Sequence, residues 1–533
     1  MRRPFASINR WGSYAGTTSE SRTTINNGSV SVSSNASADD GALRILMVCS
    51  EAMPFAKAGG LGDAVSALCH GLRQLGHDVR LLLPRYGFID LTTLEELPRP
   101  LGVPIGGQEL WTAVYRGMLP DGLHGDTVTV YFLDYRQFFD RAGIYNTPGQ
   151  PEYDDNPRRY ALLCRAAFQL CRKLHWIPDI LHAHDWPAAL VPVYNRLLEA
   201  HSEFSFSRAV LSIHNIGYQG ITARRQLDSL GLPAARIEES GLLFGEAINL
   251  LKGGITCADA LVTVSPQHAI EITSPEHGFG LDALLRARQS RLEGIINGMD
   301  ESVWDPRIDP LLPHHYGTDD PGNKARLKRT LQLEMGLAPR TDVPLLAMVS
   351  RLATQKGFHE LCDHQRGALP RILEVLPVQI AILGSGDPRF EQRLRELSRL
   401  HPNLGLIVGY QERLAHLVQA GADFFLMPSR YEPCGLNQMY ALRYGTIPIV
   451  SRTGGLVDSV DEFDPLNDSG DGFFIDTPTP WMIFDAVSRA VRLWHSDPEA
   501  VKRMRCRAMQ RRFPIADTAA AYVNLYRRAL SDR

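Results

Sequence analysis

Lys57 stands two residues ahead of Gly59 and Gly60 in KAGGLGD, a loop that follows a short apolar run. Glycines at such a turn let backbone N–H groups approach an anion at a helix N-terminus, and the lysine adds a mobile positive charge. The spacing is neither G-x-G-x-x-G nor that of a P-loop, so a structural tight turn accounts for the glycines equally well. Two later loops carry histidine. LHAHDW brings His182, His184, Asp185 and Trp186, and HNIGYQG brings His214 and Asn215. Polar groups at two strand ends suit the lining of one pocket, although each histidine taken singly is also a common packing residue. Metal ligation stays open on residue type, but H-E-x-x-H and D-x-D are both absent from the chain. In VSRLATQKG, Arg351 and Lys356 set two positive charges five residues apart. That pair suits a diphosphate, with the guanidinium binding bidentately and the ammonium acting as a point charge. Glu432 follows in PSRYEPCGLNQ, and RTGGLVDSV places Thr453, Gly454 and Gly455 where a helix opens, again a ready anion site. Any one of these charges reads as a surface ion pair. All of them in strand-to-helix loops do not.

Such loops need rigid elements to hold them. LRILMVCS is a nearly continuous apolar run, as expected of a strand buried on both faces. Leu61, Val65, Leu68, Leu72 and Leu75 then recur at four- and three-residue intervals, one face of a helix, before the strand DVRLLLP. Strand, helix and strand make a βαβ unit. VPLLAMVS, VQIAILG, LGLIVG, ADFFLMP and TIPIVS repeat this pattern in the second half, with helical segments between them. The fold class is therefore α/β, with two doubly wound parallel-sheet domains and ligands expected at the carboxyl ends of the strands. Domain boundaries are expected at 1–42 for a Ser-, Thr- and Arg-rich tail, 43–300 for the first domain and 343–515 for the second. Residues 301–342, rich in Pro and Asp, read as the connection, and 516–533 as a terminal helix that returns to the first domain with Asp517 or Thr518 as its cap.

Composition narrows the function classes. The chain has 533 residues, 22% of them charged, and a net charge of −3, which excludes a broadly basic nucleic-acid surface. Apolar runs long enough to span a membrane are absent. Eight cysteines without C-x-x-C spacing exclude a disulfide scaffold and the usual zinc knuckles, so reduced, buried thiols are expected at Cys69, Cys164 and Cys171. A cytoplasmic protein is the reading, with a plastid the alternative if residues 1–42 are a transit peptide. Oligomeric state is left open.

Taken in order, KAGGLGD, HAHDW, HNIGYQG, VSRLATQKG, PSRYEPCGLNQMYALRYGTIP and RTGGLVDSV resemble the bacterial glycogen synthases and plant starch synthases. The resemblance runs from about Leu43 to the C-terminus. It implies the GT-B architecture, two Rossmann-like domains facing across a cleft, and retaining transfer of glucose from ADP-glucose to the non-reducing end of an α-1,4-glucan, glycogen or starch. It further implies that Lys57 contacts the donor with Gly59 and Gly60 beside its phosphates, and that Arg351 and Lys356 hold the pyrophosphate. Glu432 is implied as the essential glutamate near the transferring glucose, with His184 on the opposite wall and Asp185, His214 and Asn215 as the acceptor or glucose pocket. Tyr410, in GYQE, resembles the aromatic residue that stacks on adenine, and Thr453, Gly454 and Gly455 the loop whose amides receive the distal phosphate. No cofactor and no metal are expected, ADP-glucose being a substrate. Retention is open to double displacement by a carboxylate or to same-face attack, and the resemblance favours the second. A related GT-B transferase using UDP-glucose or another acceptor is the alternative.

Overall fold

The computed structural model describes residues 41–120, 127–147, 149–320 and 322–532; the tail read at 1–42 lies almost wholly outside them. Two parallel sheets organise the molecule. The first has ten strands, and seven of them run parallel in the order Leu292–Gly294, Ala260–Thr263, Arg208–Ile213, Ile180–His184, Arg44–Val48, Asp78–Pro84 and Val128–Asp134. The second is a six-stranded parallel sheet ordered Leu404–Val408, Gln379–Gly384, Leu345–Val349, Phe424–Met427, Ile447–Ser451 and Phe473–Ile475. Both have the apolar composition that burial on two faces demands: Ile45, Met47, Val48, Leu346, Ile380 and Ile382 are all buried in their cores. Helix Gly60–Gln74 buries Leu61, Val65, Leu68 and Leu72 beneath the first sheet, as the periodicity predicts, but Leu75, expected on the same stripe, is the C-terminal cap and is exposed. Seven of the eight cysteines are buried free thiols, Cys69, Cys164 and Cys171 among them, and only Cys506 is exposed.

Three features differ from the sequence reading. An antiparallel extension, Leu101–Ile105, Gln108–Leu119 and Glu95–Glu96, continues the first sheet beyond Val128–Asp134. Residues 301–342 do more than connect. Helix Gly322–Glu334 lies there, and Leu312, Tyr316, Leu327 and Leu331 join the core of the second domain. The acidic residues that made this stretch look like a linker are anchors: Asp305 accepts from Arg443 at 2.5 Å, and Asp309 from Tyr444 at 2.6 Å and His416 at 2.8 Å. The terminal helix spans Ile515–Ser531, so Asp517 and Thr518 lie within it and cap nothing. Thr518 instead donates to the Ile296 carbonyl at 2.9 Å, and Tyr526 bonds His182 on the central strand of the first sheet at 2.8 Å. No helix among the described residues is long and apolar enough to cross a membrane.

Candidate active site

The loop after strand Arg44–Val48 is built around Glu51. Its buried carboxylate accepts from the amides of Ala58 at 2.6 Å and Gly59 at 3.0 Å and from the Tyr145 hydroxyl at 2.6 Å. The Gly59 amide is thus committed to the loop, and helix Gly60–Gln74 begins without a side-chain cap. Gly59 has extended backbone with φ −155°, and a Cβ there would meet nothing within 4 Å; at Gly60 it would meet only Leu436 Cδ1, at 4.0 Å. Neither backbone nor packing requires these glycines, so their want of side chains serves to keep the surface above them clear. Lys57 Nζ bonds Asp63 at 2.8 Å and lies 5.8 Å from the centre of the Tyr410 ring, which belongs to the second domain.

Strands Ile180–His184 and Arg208–Ile213 are neighbours, and their carboxyl ends bring the two histidine loops together. His184 Nδ1 is 3.0 Å from His214 Nε2, and its other ring nitrogen is 3.4 Å from the Met47 sulfur. Burial, with His182 and His214 beside it, holds His184 neutral well below the usual histidine range, and burial holds His214 down to about 4. His184 is fully buried, whereas His214 and Asn215 are partly exposed. His182 turns away to Ser212 and Tyr526 and is a packing residue. Asp185 adopts φ +57° and accepts from the amides of His214 at 2.7 Å and Asn215 at 3.3 Å, so it shapes the second loop; burial pushes its carboxyl up to about 7.

In the second domain, Lys356 Nζ and Glu432 Oε2 form an ion pair at 2.5 Å, and Ser429 donates to the same oxygen at 3.0 Å. Glu432 is 6% exposed, so it is aimed by its surroundings and not free to swing in solvent. Arg351 reaches across to the Tyr218 hydroxyl at 3.4 Å, a contact from the second domain to the HNIGYQG loop of the first. Tyr431, next to Glu432, packs edge-on against Phe279 of the first domain at 5.3 Å.

Thr453, Gly454 and Gly455 play a different part from the one expected of them. The Gly454 amide donates to Glu271 at 2.9 Å and the Thr453 hydroxyl to the same carboxylate at 3.1 Å, while the Gly455 amide bonds the carbonyls of Glu432 and Pro433. These donors already have protein acceptors, so the loop is not an open phosphate cradle. A Cβ on Gly454, where φ is +46°, would lie 2.0 Å from the Glu432 carbonyl oxygen, and one on Gly455 would lie 2.3 Å from that of Cys434. The glycines are there so that this backbone can press against the Glu432 loop and fix it. The first domain grips the same assembly through Glu271, through the Gln267 amide on Asp458 at 2.9 Å, and through Ser265, whose hydroxyl donates to the Pro433 carbonyl at 2.6 Å. Helix Asn437–Arg443, which follows Glu432, also begins without a side-chain cap, and its N-cap residue Leu436 faces Gly60.

Lys57, Tyr410, Arg351, Lys356 and Glu432 therefore gather where the two domains meet, with His214 and Asn215 on the first-domain side. Glu51, Tyr218, Ser265 and Glu271 were missed by the sequence reading. Glu51, three residues past its strand and before the glycine loop, and Tyr218, inside HNIGYQG itself, were the two whose placement carried a signal. Among the described residues no group of three His, Cys, Asp or Glu side chains is placed to hold a metal ion.

Comparison with known proteins gives a consistent result. The family described as starch synthase catalytic domain matches residues 44–287, and that described as glycosyl transferases group 1 matches residues 335–511. The glycogen synthase of Treponema denticola is 43% identical over 491 residues, 92% of this chain and 99% of that protein. Glycogen synthase 1 of Geobacter metallireducens is 42% identical over 497 residues, 92% of this chain and 97% of that protein. The catalytic domain of starch synthase IV from Arabidopsis thaliana, solved bound to ADP and acarbose, superimposes with a TM-score of 0.84 at 31% identity, covering 92% of this chain and all of that one. Sucrose-phosphate synthase from Thermosynechococcus elongatus, with a TM-score of 0.57 at 16% identity over 92% of this chain and 99% of its own, shares the fold.

Proposed function

The chain belongs to the glycogen synthase and starch synthase family of glycosyltransferases, and from that premise we propose that it transfers glucose from ADP-glucose to the non-reducing end of an α-1,4-glucan, with retention and without a metal. The observation that carries the reading is the convergence of Lys57, Arg351, Lys356 and Glu432 at the meeting of two parallel-sheet domains. The structural relative solved with ADP and acarbose favours adenine over uracil in the donor, and Tyr410 beside Lys57 offers a ring for the base.

Transfer breaks the anomeric C–O bond, leaving an oxocarbenium-like centre while negative charge grows on the departing diphosphate. Donors already aimed at that charge give the largest rate gain. Arg351 and Lys356 supply two cations, and the uncapped amino end of helix Asn437–Arg443, facing the clear surface at Gly60, supplies backbone N–H groups. This helix end takes the place of the Thr453–Gly455 amides as receiver of the distal phosphate. Lys356 leaves Glu432 for the diphosphate when the donor enters, which frees the carboxylate to stabilise the positive anomeric centre. A same-face attack then needs no covalent glycosyl intermediate, because the leaving phosphate takes the acceptor hydroxyl proton. The neutral His184–His214 pair lines the glucose pocket, with His214 as the contact and His184 as its support; Asp185 and Asn215 hold the same wall. Closure of the two domains keeps water from the donor.

Radiolabelled ADP-glucose and UDP-glucose, offered separately with glycogen in excess EDTA, test this. Label is expected to enter glycogen from ADP-glucose at undiminished rate. Preference for UDP-glucose would overturn the donor assignment, and loss of activity restored by one divalent ion would overturn the metal-free mechanism.

A further inference from the structure

The edge of the first sheet opposite the cleft holds a cavity of about 340 Å³. It lies at the amino ends of strands Arg208–Ile213, Ala260–Thr263 and Leu292–Gly294, whereas His184 and His214 stand at carboxyl ends of the same sheet. Four arginines line it: Arg196, Arg208, Arg288 and Arg291. Among the described residues, none of the four has a carboxylate within ion-pair distance, in a chain where most arginine contacts are ion pairs and the net charge is −3. Their contacts are backbone carbonyls: Arg288 donates to Thr256 at 2.9 Å and to Ala258, Arg291 to Asp259 at 2.8 Å, and Arg208 to Ala529 at 3.1 Å. Carbonyls at the ends of helices orient these groups but carry only partial charge.

One carboxylate lines the cavity, Asp259, and its Oδ2 is engaged by the Ala209 amide at 2.8 Å. Arg288 Nε is buried with no hydrogen-bond partner, and so is Asn195 Oδ1 in the same wall. Burial pulls Arg288 below the usual arginine range, and the positive charges of Arg291 and Arg196 act in the same direction. Four cations crowded round a concave surface with one engaged carboxylate repel one another and focus a positive potential into it.

We propose that this cavity is a second ligand site, separate from the catalytic cleft, that takes a small phosphate-bearing anion. Guanidinium forks suit phosphate oxygens bidentately, and several together neutralise a dianion. The Ser205 hydroxyl and the unpartnered Asn195 Oδ1 offer polar contacts for an organic body attached to the phosphate, and the volume lies at the lower end of the range of about 300–1,000 Å³ typical of small-molecule sites.

The test is calorimetric titration of the full chain, with ADP saturating the cleft, using inorganic phosphate in one arm and glycerol 3-phosphate in the other. Wild type is compared with Arg196→Gln/Arg291→Gln, two exposed positions whose replacement leaves the buried Arg288 in place. Binding to wild type is expected in at least one arm, weakened about tenfold or more in the double variant, since two of the four charge-assisted donors are removed. Equal affinity in the two arms assigns the site to phosphate itself, and tighter glycerol 3-phosphate binding assigns it to a phosphomonoester. Melting curves confirm that the variant is folded, and Lys356→Ala is expected to leave this binding unchanged. Heats no larger than those of sodium chloride at equal ionic strength, or equal affinity in wild type and double variant, would overturn the proposal.

Discussion

Glu432 and Lys356 neutralise each other in the free protein, which makes their separate duties testable. Lys356→Ala removes a cation from the developing diphosphate charge. It should lower kcat by about 10²–10³ and weaken ADP as well, because ground-state phosphates are also charged. Glu432→Gln should lower kcat while ADP binds as tightly as before or more so, since the phosphates no longer compete with a carboxylate for Lys356. Calorimetry of ADP beside steady-state rates checks both; a Gln variant that loses ADP as badly as the Lys variant would place Glu432 in the nucleotide site. A second expectation concerns acid. Burial holds His182 and His268 near 3 and His214 near 4, against 6.5 unfolded, so the folded state keeps these rings neutral. Their contribution to stability is fully present above pH 6.5 and is lost as pH falls toward 4. Asp185, raised to about 7 from 3.8, works in the opposite direction, its contribution fading as pH rises through 7, and burial raises Asp63, Glu152, Asp458 and Asp471 as well. His184, held well below the usual histidine range, acts with the three rings, and these four buried imidazoles set the direction. The melting temperature should therefore fall between pH 6.5 and 4.5; a flat or rising profile there would contradict the buried neutral rings. At this scale the charged residues of the candidate site, Lys57, Arg351, Lys356 and Glu432, stood out in the sequence because each sits in a short loop after an apolar run. Glu271 was not, because it lies 182 and 183 positions from Thr453 and Gly454 and only the fold joins them.

Helix Pro266–Glu271 and helix Gly454–Ser459 bind each other's amino ends across the domains. Glu271 takes the Gly454 amide at 2.9 Å, and Asp458 takes the Gln267 amide at 2.9 Å. Carboxylates at helix N-termini are favourable, and here each also ties one domain to the other. Because Gly454 and Gly455 press against the backbone of Glu432 and Cys434, this clasp transmits the domain arrangement to the Glu432 loop. Glu271→Ala should cost about 1–3 kcal/mol of stability by leaving the Gly454 amide and Thr453 hydroxyl unpaired, and should lower kcat more than it weakens ADP. Glu271→Gln, which keeps an acceptor for the Gly454 amide, should recover part of kcat. Thermal melts and rates for both decide it; ADP affinity falling with kcat unchanged would show that the loop serves the phosphates after all. Apolar runs made the parallel strands readable, and glycine and proline marked their ends. Composition misled at 301–342, where Asp305 and Asp309 are buried anchors, and at the terminal helix, where Pro514 and not Asp517 precedes the first turn.

The whole molecule turns two repeated strand–helix units into one reaction chamber by setting their loop-bearing edges together. That each half is a parallel α/β domain was legible in the alternation of apolar and amphipathic segments. How the halves meet was not, because the contacts that join them, Tyr218 with Arg351, Phe279 with Tyr431 and Ser265 with Pro433, are single side chains with no local pattern. The antiparallel extension at 95–119 was equally silent: its exposed Trp111 and Met118 interrupt the contrast between inner and outer faces on which a strand assignment rests. The central claim is that this chamber moves glucose from ADP-glucose to an α-1,4-glucan, with retention and no metal. Proton NMR of the enzyme with ADP-glucose and a maltooligosaccharide in EDTA follows donor, linkage and anomeric configuration together. The result expected is growth of the α-1,4 anomeric signal in step with the release of ADP. A β linkage, free glucose in place of a new linkage, or no reaction until a divalent ion is added would contradict it.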